Sequence, residues 1–543
     1  MPPEFAPLAD SIVDALLAAN PSAATFAGDH RFDDRLDDFS ADGVAERVTM
    51  LRQASDTLAA ADIDELVIGE QIDHAILQAR VDQELFELTE VREHEWNPLS
   101  HNPGALLDAL IERPTAPAEV RLASLAARLA SIPDALATAR ATLRHVPQIH
   151  LETGAGQFTG TAALVRDGVP RLLAEAPALG GDVKPVAEEA IAALDGFSGW
   201  LRTQAAQDVD RPSPRLGRRL WEARLWHTLD TELSSTQVME AAQRRLADLS
   251  DRMRECAVAM IGGPHDDDTV RRALAECAER RPDNTTIVGR ATEALADTTE
   301  FVRQFELVSL VDDPCVVKEM PEYARGVAVA YCDPPGPLET ANVPTLYCIS
   351  PTPADWSAER VESFYREYND DLVRDLTIHE AMPGHFLQLA HSRRYRGTSK
   401  VRALGFSGPF VEGWACYAEE VMIDAGYGGL PLKLQQLKAA MRSALNAILD
   451  QSVHCDDMSE AEAMALMRHR GFQEEGEAAG KWRRALLTST QLSTYFVGYS
   501  EVSAIGRARP DGFALRDWYD QMLAYGSPPP RHLRTLLGLA AAA

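Results

Sequence analysis

Thr377-Ile378-His379-Glu380-Ala381-Met382-Pro383-Gly384-His385-Phe386-Leu387-Gln388 sets two imidazoles around one carboxylate, with apolar residues on either side. The usual zinc-hydrolase spacing is His-Glu-x-x-His on a helix, where both histidines share a face and the Glu is the general base. Here the position four after His379 is Pro383, and the next histidine is His385. On an ideal helix six residues rise about 9 Å and turn about 600°, which leaves the two rings roughly 120° apart. They can share one ion only if the helix is distorted between them. Pro383-Gly384 supplies the means, because proline removes a backbone donor and glycine accepts unusual dihedrals. The stretch therefore reads as a metal-binding helix with a local bulge.

Outward from the motif, the totals set limits. Acidic residues outnumber basic ones, 82 against 53, for a net charge of -29 in 543 residues. Nucleic acid and anionic membrane both need a basic footprint, so neither is an expected partner. Ala, Leu and Arg are abundant and β-branched runs are few, which favours helices. Seven cysteines lie far apart with no C-x-x-C pair, a pattern of reduced thiols rather than a disulfide frame. The N-terminal residues show no basic segment ahead of an apolar run, and no stretch reaches transmembrane length. A soluble, cytoplasmic protein is expected. The sequence does not set its oligomeric state.

Helical spacing recurs over residues 43–94, 114–145, 185–207 and 211–277. Residues 28–34, Gly-Asp-His-Arg-Phe-Asp-Asp, read as a solvated structural turn. His94 and His101 have no companions to complete a ligand set and read as ordinary histidines. The glycine-rich residues 152–160 lack a P-loop ending, so a loop or helix cap is expected there. The texture changes after Pro321. Residues 326–332 and 343–349 look like short strands flanking a proline-rich loop, so a small antiparallel sheet is expected beside the metal helix. An edge strand there could pair with an extended peptide, and Tyr347 is a candidate substrate contact. Residues 356–376 read as one helix leading into the motif. On it Asp375, four residues before His379, could orient that imidazole.

Two histidines and a catalytic Glu need a third protein ligand, with one position left open for water. Glu412, in Phe410-Val411-Glu412-Gly413-Trp414, is the best candidate, because a carboxylate in an apolar, aromatic setting is costly unless paired or metal-bound. Glu419 lies seven residues on, nearly in line, and suits a brace behind a ligand. Glu420 is about 80° round the helix from Glu412, which weakens its claim.

These residues carry a resemblance. His379-Glu380-Ala381-Met382-Pro383-Gly384-His385 with Gln388, and Glu412-Gly413-Trp414-Ala415 with Tyr417 and Glu419, resemble the bacterial domain-of-unknown-function family 885. Its members look like zinc metallopeptidases of the Glu-zincin group. Asn20-Pro21 and Gly28-Asp29-His30 are also similar, so the likeness spans most of the chain. Phe410-Val411-Glu412 further resembles the third-ligand segment of oligopeptidase-type zinc enzymes. The resemblance implies a mainly α, clam-shaped, zincin-like architecture with a deep cleft. It further implies that Tyr495, or else Tyr499, steadies the oxyanion of the tetrahedral intermediate, and that His454 contacts substrate.

The resulting expectation is a helical frame and lid over 1–320 and a catalytic region over 321–543, or one continuous architecture. One Zn2+ per chain is held by His379, His385 and Glu412, Glu380 is the general base, and short peptides are cleaved. A zinc hydrolase of non-peptide amides or esters would use the same residues. A helical scaffold with a structural metal site is the alternative outside enzymes. His₂Glu favours zinc without excluding manganese, cobalt or iron.

Overall fold

The computed structural model describes residues 5–320, 325 and 329–540. It is mainly helical with one small sheet. The chain forms two compact units, one of Met1–Pro214 with Pro335–Val343 and Gly397–Gly405, the other of Arg215–Pro334, Pro344–Arg396 and Phe406–Ala543. The chain leaves the first unit near residue 214 and returns to it twice.

In the first unit, the helices Ala118–Thr142, Gln148–Glu175 and Gly180–Ala205 bury Leu122, Phe158, Phe197 and Leu201 in one core. The glycine-rich residues 152–160 are not a loop. They lie inside the Gln148–Glu175 helix, because Gly154 faces neighbours that a side chain would crowd: a Cβ there would sit 3.2 Å from Leu201 and from Pro98. The Gly28–Asp34 turn is structural, but it is not simply solvated. Asp29 and Asp33 are buried. His30 bridges Asp33 at 2.7 Å and Glu339 at 2.8 Å, and the Asp33 hydrogen bond, opposed by burial, pushes its pKa up to about 9. Glu339 belongs to the returning segment, which is further tied by Leu338 N–H donating to Ala27 O. His94 and His101 pack on either side of Phe39, and His101 Nε2 lies 2.8 Å from the His94 carbonyl.

The second unit holds the motif. Its sheet is mixed and three-stranded, not a simple antiparallel pair. Strand β3 (Thr345–Ile349) is central, flanked by β1 (Cys315–Glu319) in parallel and β2 (Ala330–Asp333) antiparallel. β1 escaped sequence reading because five residues without flanking turn signals carry little pattern. Residues 326–328 of the first expected strand lie outside the described residues. β3 is buried through Tyr347, Cys348 and Ile349, and this face joins Val373, Ile378, Phe386, Trp414 and Tyr519 in one apolar core. A second core, around Trp221, Leu246, Leu434 and Phe496, joins the Ser235–Ile261 helix to the Gly429–Cys455 helix.

The helix expected over 356–376 is two helices, Ala358–Glu367 and Asp370–Glu380. Asn369 separates them by capping the second, its side-chain oxygen accepting from the Asp371 and Leu372 N–H groups. That is the usual work of Asn at a helix start.

Candidate metal centre

The motif helix ends at Glu380, and a new helix begins at His385. Between them the Met382–Pro383 peptide is cis. Hydrogen bonds span the break with an enlarged ring: Gly384 N–H donates to Ile378 O at 2.9 Å and Leu387 N–H to Ala381 O at 3.3 Å. These are i to i−6 bonds where a regular helix has i to i−4. Two residues are looped out, the same two by which His379 and His385 exceed the usual spacing. The expected bulge is therefore a short interruption that restores the histidines to one side. Gly384 is required there, since a Cβ would lie 2.0 Å from the His379 carbonyl oxygen. Trp414 Nε1 fixes the loop from outside by donating to Pro383 O at 2.9 Å.

The outcome is convergence. The His379 and His385 rings stand edge to face, their centroids 4.7 Å apart at 84°. Each Nε2 lies 3.4 Å from Oε2 of Glu412, on the Gly408–Asp424 helix. Four-coordinate zinc with ligands at about 2.0–2.1 Å requires ligand-to-ligand edges of about 3.4 Å. The three side chains could hold a metal ion, and both measured edges fit that shell. The electrostatics agree. Burial works to raise the Glu412 carboxyl, yet the two imidazoles hold it well below the usual carboxylate range. Its Oε2 is buried without a hydrogen bond, as is His385 Nδ1.

Behind this shell, Glu419 Oε1 lies 2.7 Å from His379 Nδ1 and fixes the ring so that Nε2 faces Glu412. His379, Cys416 and Glu419 form a second group of ligand type. It uses the ring nitrogen already committed to Glu419, and burial pushes the Cys416 thiol up to about 12, so this group reads as a brace. Asp375, the other residue expected to orient His379, makes no hydrogen bond to it. It is buried, and burial together with the Glu419 charge raises its pKa well above the usual range.

Glu380 is buried beside the two histidines, and burial raises its pKa while their charges oppose the rise. The Cys332 backbone N–H on edge strand β2 donates to its carboxylate. The sheet edge facing the motif thus already serves Glu380 at this position, so its visible part in the site is to aim that carboxylate.

The remaining candidates divide. Tyr495 stands close enough to Glu412 and His379 for their charges to act on its phenol; burial raises its pKa first, and its hydroxyl accepts from Arg484 Nη2 at 3.2 Å. Tyr499 is turned elsewhere: its hydroxyl donates to Glu420 Oε2 at 2.5 Å and accepts from Arg245 at 2.7 Å and Arg507 at 3.1 Å. Glu420 is thus the centre of an ion cluster, not a solvated charge. Tyr347 is fully buried, paired with Thr377 Oγ1 at 3.1 Å, and packs in the core under the motif. His454 is buried too: Leu216 N–H donates to Nδ1 at 3.1 Å, and Nε2 lies 2.9 Å from the Ala485 and Thr488 carbonyls. Backbone occupies both its nitrogens.

Gly413 was read only as part of the Glu412-Gly413-Trp414-Ala415 resemblance and Gly498 was given no role, yet together they set Tyr495 against Glu412. A Cβ on Gly413 would lie 2.3 Å from the Gly498 carbonyl carbon, so the Gly408–Asp424 and Ser493–Arg507 helices cross backbone to backbone. Glycine inside an otherwise apolar helical stretch was the available signal.

A family model described as bacterial protein of unknown function (DUF885) matches residues 21–537. The chain belongs to the DUF885 family. No curated protein matches it. Among solved structures, a candidate lipoprotein of unknown function from Shewanella oneidensis is 28% identical, with a TM-score of 0.81 over 98% of this chain and 99% of that one. A candidate lipoprotein from Colwellia psychrerythraea, 16% identical, has a TM-score of 0.81 over 98% of both chains and shares the fold. The DUF885 membership and the His379–His385–Glu412 group are the firm ground for a functional reading. No helix among the described residues is long and apolar enough to cross a membrane.

Proposed function

We propose that this DUF885 protein is a zinc-dependent hydrolase of short peptides, with one ion held by His379, His385 and Glu412. The observation that carries the reading is the pair of 3.4 Å Nε2–Oε2 separations, with Glu380 buried alongside. Zinc in such a site supplies Lewis acidity toward a carbonyl and toward water. The chain's own groups do the rest. Glu380, raised by burial and aimed by Cys332 N–H, takes a proton from the attacking water and returns it to the leaving amine. The Tyr495 hydroxyl donates to the developing oxyanion. Glu419 holds the His379 ring.

The compartment belongs to the same proposal. All seven cysteines are unpaired, which suits a reducing cytoplasm. The two solved relatives are candidate lipoproteins, which makes an envelope location the rival. Cell fractionation separates the two.

The test is metal analysis of protein purified without a metal-affinity tag, beside His385→Ala and Glu380→Gln, followed by a panel of short peptides and small acylated amides. The expected result is about one zinc per chain, lost in His385→Ala. Glu380→Gln retains it while hydrolysis falls roughly 10²–10⁴-fold. Metal-free protein, zinc retained by His385→Ala, or full activity in Glu380→Gln overturns the reading. Turnover of the acylated amides alone replaces the peptide class with the simpler amides.

A further inference from the structure

Beside the metal centre lies a group of charges that the proposed chemistry does not use. Glu367 is buried and matched twice, by Lys438 Nζ at 2.8 Å and Arg442 Nη2 at 2.5 Å. Glu477 accepts from Tyr368 Oη at 2.8 Å and lies 3.9 Å from Lys481 Nζ. Arg484, on the same Glu475–Leu487 helix one turn beyond Lys481, has no carboxylate partner among the described residues. Its half-buried guanidinium donates only to neutral oxygens, Gln491 Oε1 at 3.1 Å and Tyr495 Oη at 3.2 Å. Four cations thus stand beside two contacting carboxylates, with Glu412 of the metal triad the third charge acting on Arg484, in a chain whose net charge is -29.

Excess positive charge in such a chain is a local arrangement, and it adjoins the reactive centre. Tyr495 links Arg484 to the metal triad, and the Glu412 charge acts on both Tyr495 and Arg484. A guanidinium has five N–H donors in a planar fork matched to a carboxylate. With two of them in use, Arg484 keeps donors for a two-pronged contact. A partly buried cation without an anion is unfavourable unless an anion arrives. Lys481, at 10% side-chain exposure and with only the long contact to Glu477, adds to the field.

We infer that Arg484, supported by Lys481, receives a carboxylate of the substrate beside the scissile bond. The inference rests on the peptidase reading and narrows its substrate class. The carboxylate has two sources, a peptide's C-terminal end or an Asp or Glu side chain. The first makes the enzyme act near the C-terminus, the second makes it select acidic residues. The rival role for Arg484 is a positioning residue that merely holds the Tyr495 hydroxyl.

Three N-acetylated tetrapeptides decide this with zinc-loaded protein: tetra-alanine as free acid, the same as C-terminal amide, and an amide carrying one Glu. Wild type is expected to cleave one carboxylate-bearing peptide at least 10-fold better than the plain amide, as kcat/KM. Arg484→Gln removes that preference, mainly through KM, so that the three peptides converge in kcat/KM; Arg484→Lys recovers part of it. Which peptide is preferred identifies the source. An equal loss on all three, carried by kcat, overturns the inference in favour of the positioning role. Calorimetric binding of the same peptides in a Glu380→Gln background supplies a readout without turnover. Tighter binding of a carboxylate-bearing peptide, abolished by adding Arg484→Gln, supports the inference even if wild type cleaves nothing and the peptidase reading falls. Equal binding of all three, or none, overturns it.

Discussion

Gly413 and Gly498 meet with their backbones in contact: a Cβ on Gly498 would lie 2.1 Å from Pro409 O and 3.0 Å from Gly413 N. Glu412 is the chain neighbour of one glycine, and Tyr495 is one helical turn before the other. The crossing therefore sets the distance between the candidate metal-ligating carboxylate and a phenol on a different helix. Gly413→Ala pushes the helices apart. Overpacking of this kind costs about 1–3 kcal/mol, and urea unfolding should show at least that loss. Gly289→Ala, at an exposed helical glycine with no atom within 4 Å of the new Cβ, should be neutral or slightly stabilising. Equal stability of both variants sinks the crossing argument.

Glu419 and Asp375 are both buried carboxyl groups near His379, but only Glu419 bonds to its ring, at 2.7 Å. Glu419→Gln should weaken zinc binding about 10–100-fold, the usual effect of losing a carboxylate behind a histidine ligand. Asp375→Asn should change affinity little, because burial and the Glu419 charge already favour its protonated form. Competition against a chelating dye measures both. A larger effect at Asp375 would reverse the assignment.

Tyr495 and Tyr499 differ in company rather than chemistry. Tyr495→Phe should lower kcat by about 10²–10³-fold if its hydroxyl meets the oxyanion. Tyr499→Phe should leave kcat alone and lower stability, since Glu420 loses its 2.5 Å donor between Arg245 and Arg507. Steady-state kinetics beside thermal melts tell the two apart.

Glu501 gives a pH prediction. Burial, with Asp230 and Glu232 nearby, raises its pKa to about 7 against the Thr231 hydrogen bond. The folded protein then binds this proton more tightly than the unfolded chain does. The contribution to stability is complete below the ordinary Glu range and is lost as pH rises through about 7, over a span worth roughly 1–3 kcal/mol. Glu501→Gln should flatten the fall in stability between about pH 4.5 and 7. Denaturant midpoints across that range provide the check, and an unchanged slope would exclude Glu501 as its source.

Much of the centre was legible because it is local. His379, Glu380, Pro383, Gly384 and His385 lie within seven residues, so backbone geometry alone required a distortion between the histidines. Glu412 was legible because an apolar, aromatic neighbourhood leaves a carboxylate few ways to persist. β1 and the Asn369 break were not read. Five unpatterned residues, and one capping side chain inside a long amphipathic stretch, are weak signals against a strong helical period.

By itself the sequence determined the helical class, the DUF885 resemblance and the residue types of a candidate His₂Glu metal shell, because periodicity, composition and short-range spacing are properties of the chain. Tertiary structure decided which of two tyrosines stands by Glu412, which of two carboxyls braces His379, and that His454 and Tyr347 serve the core. It also left Arg484 with no carboxylate in contact among the described residues. Those outcomes depend on which helix faces cross and at what distance. Contacts between residues tens or hundreds of positions apart are set by packing, which no local pattern encodes.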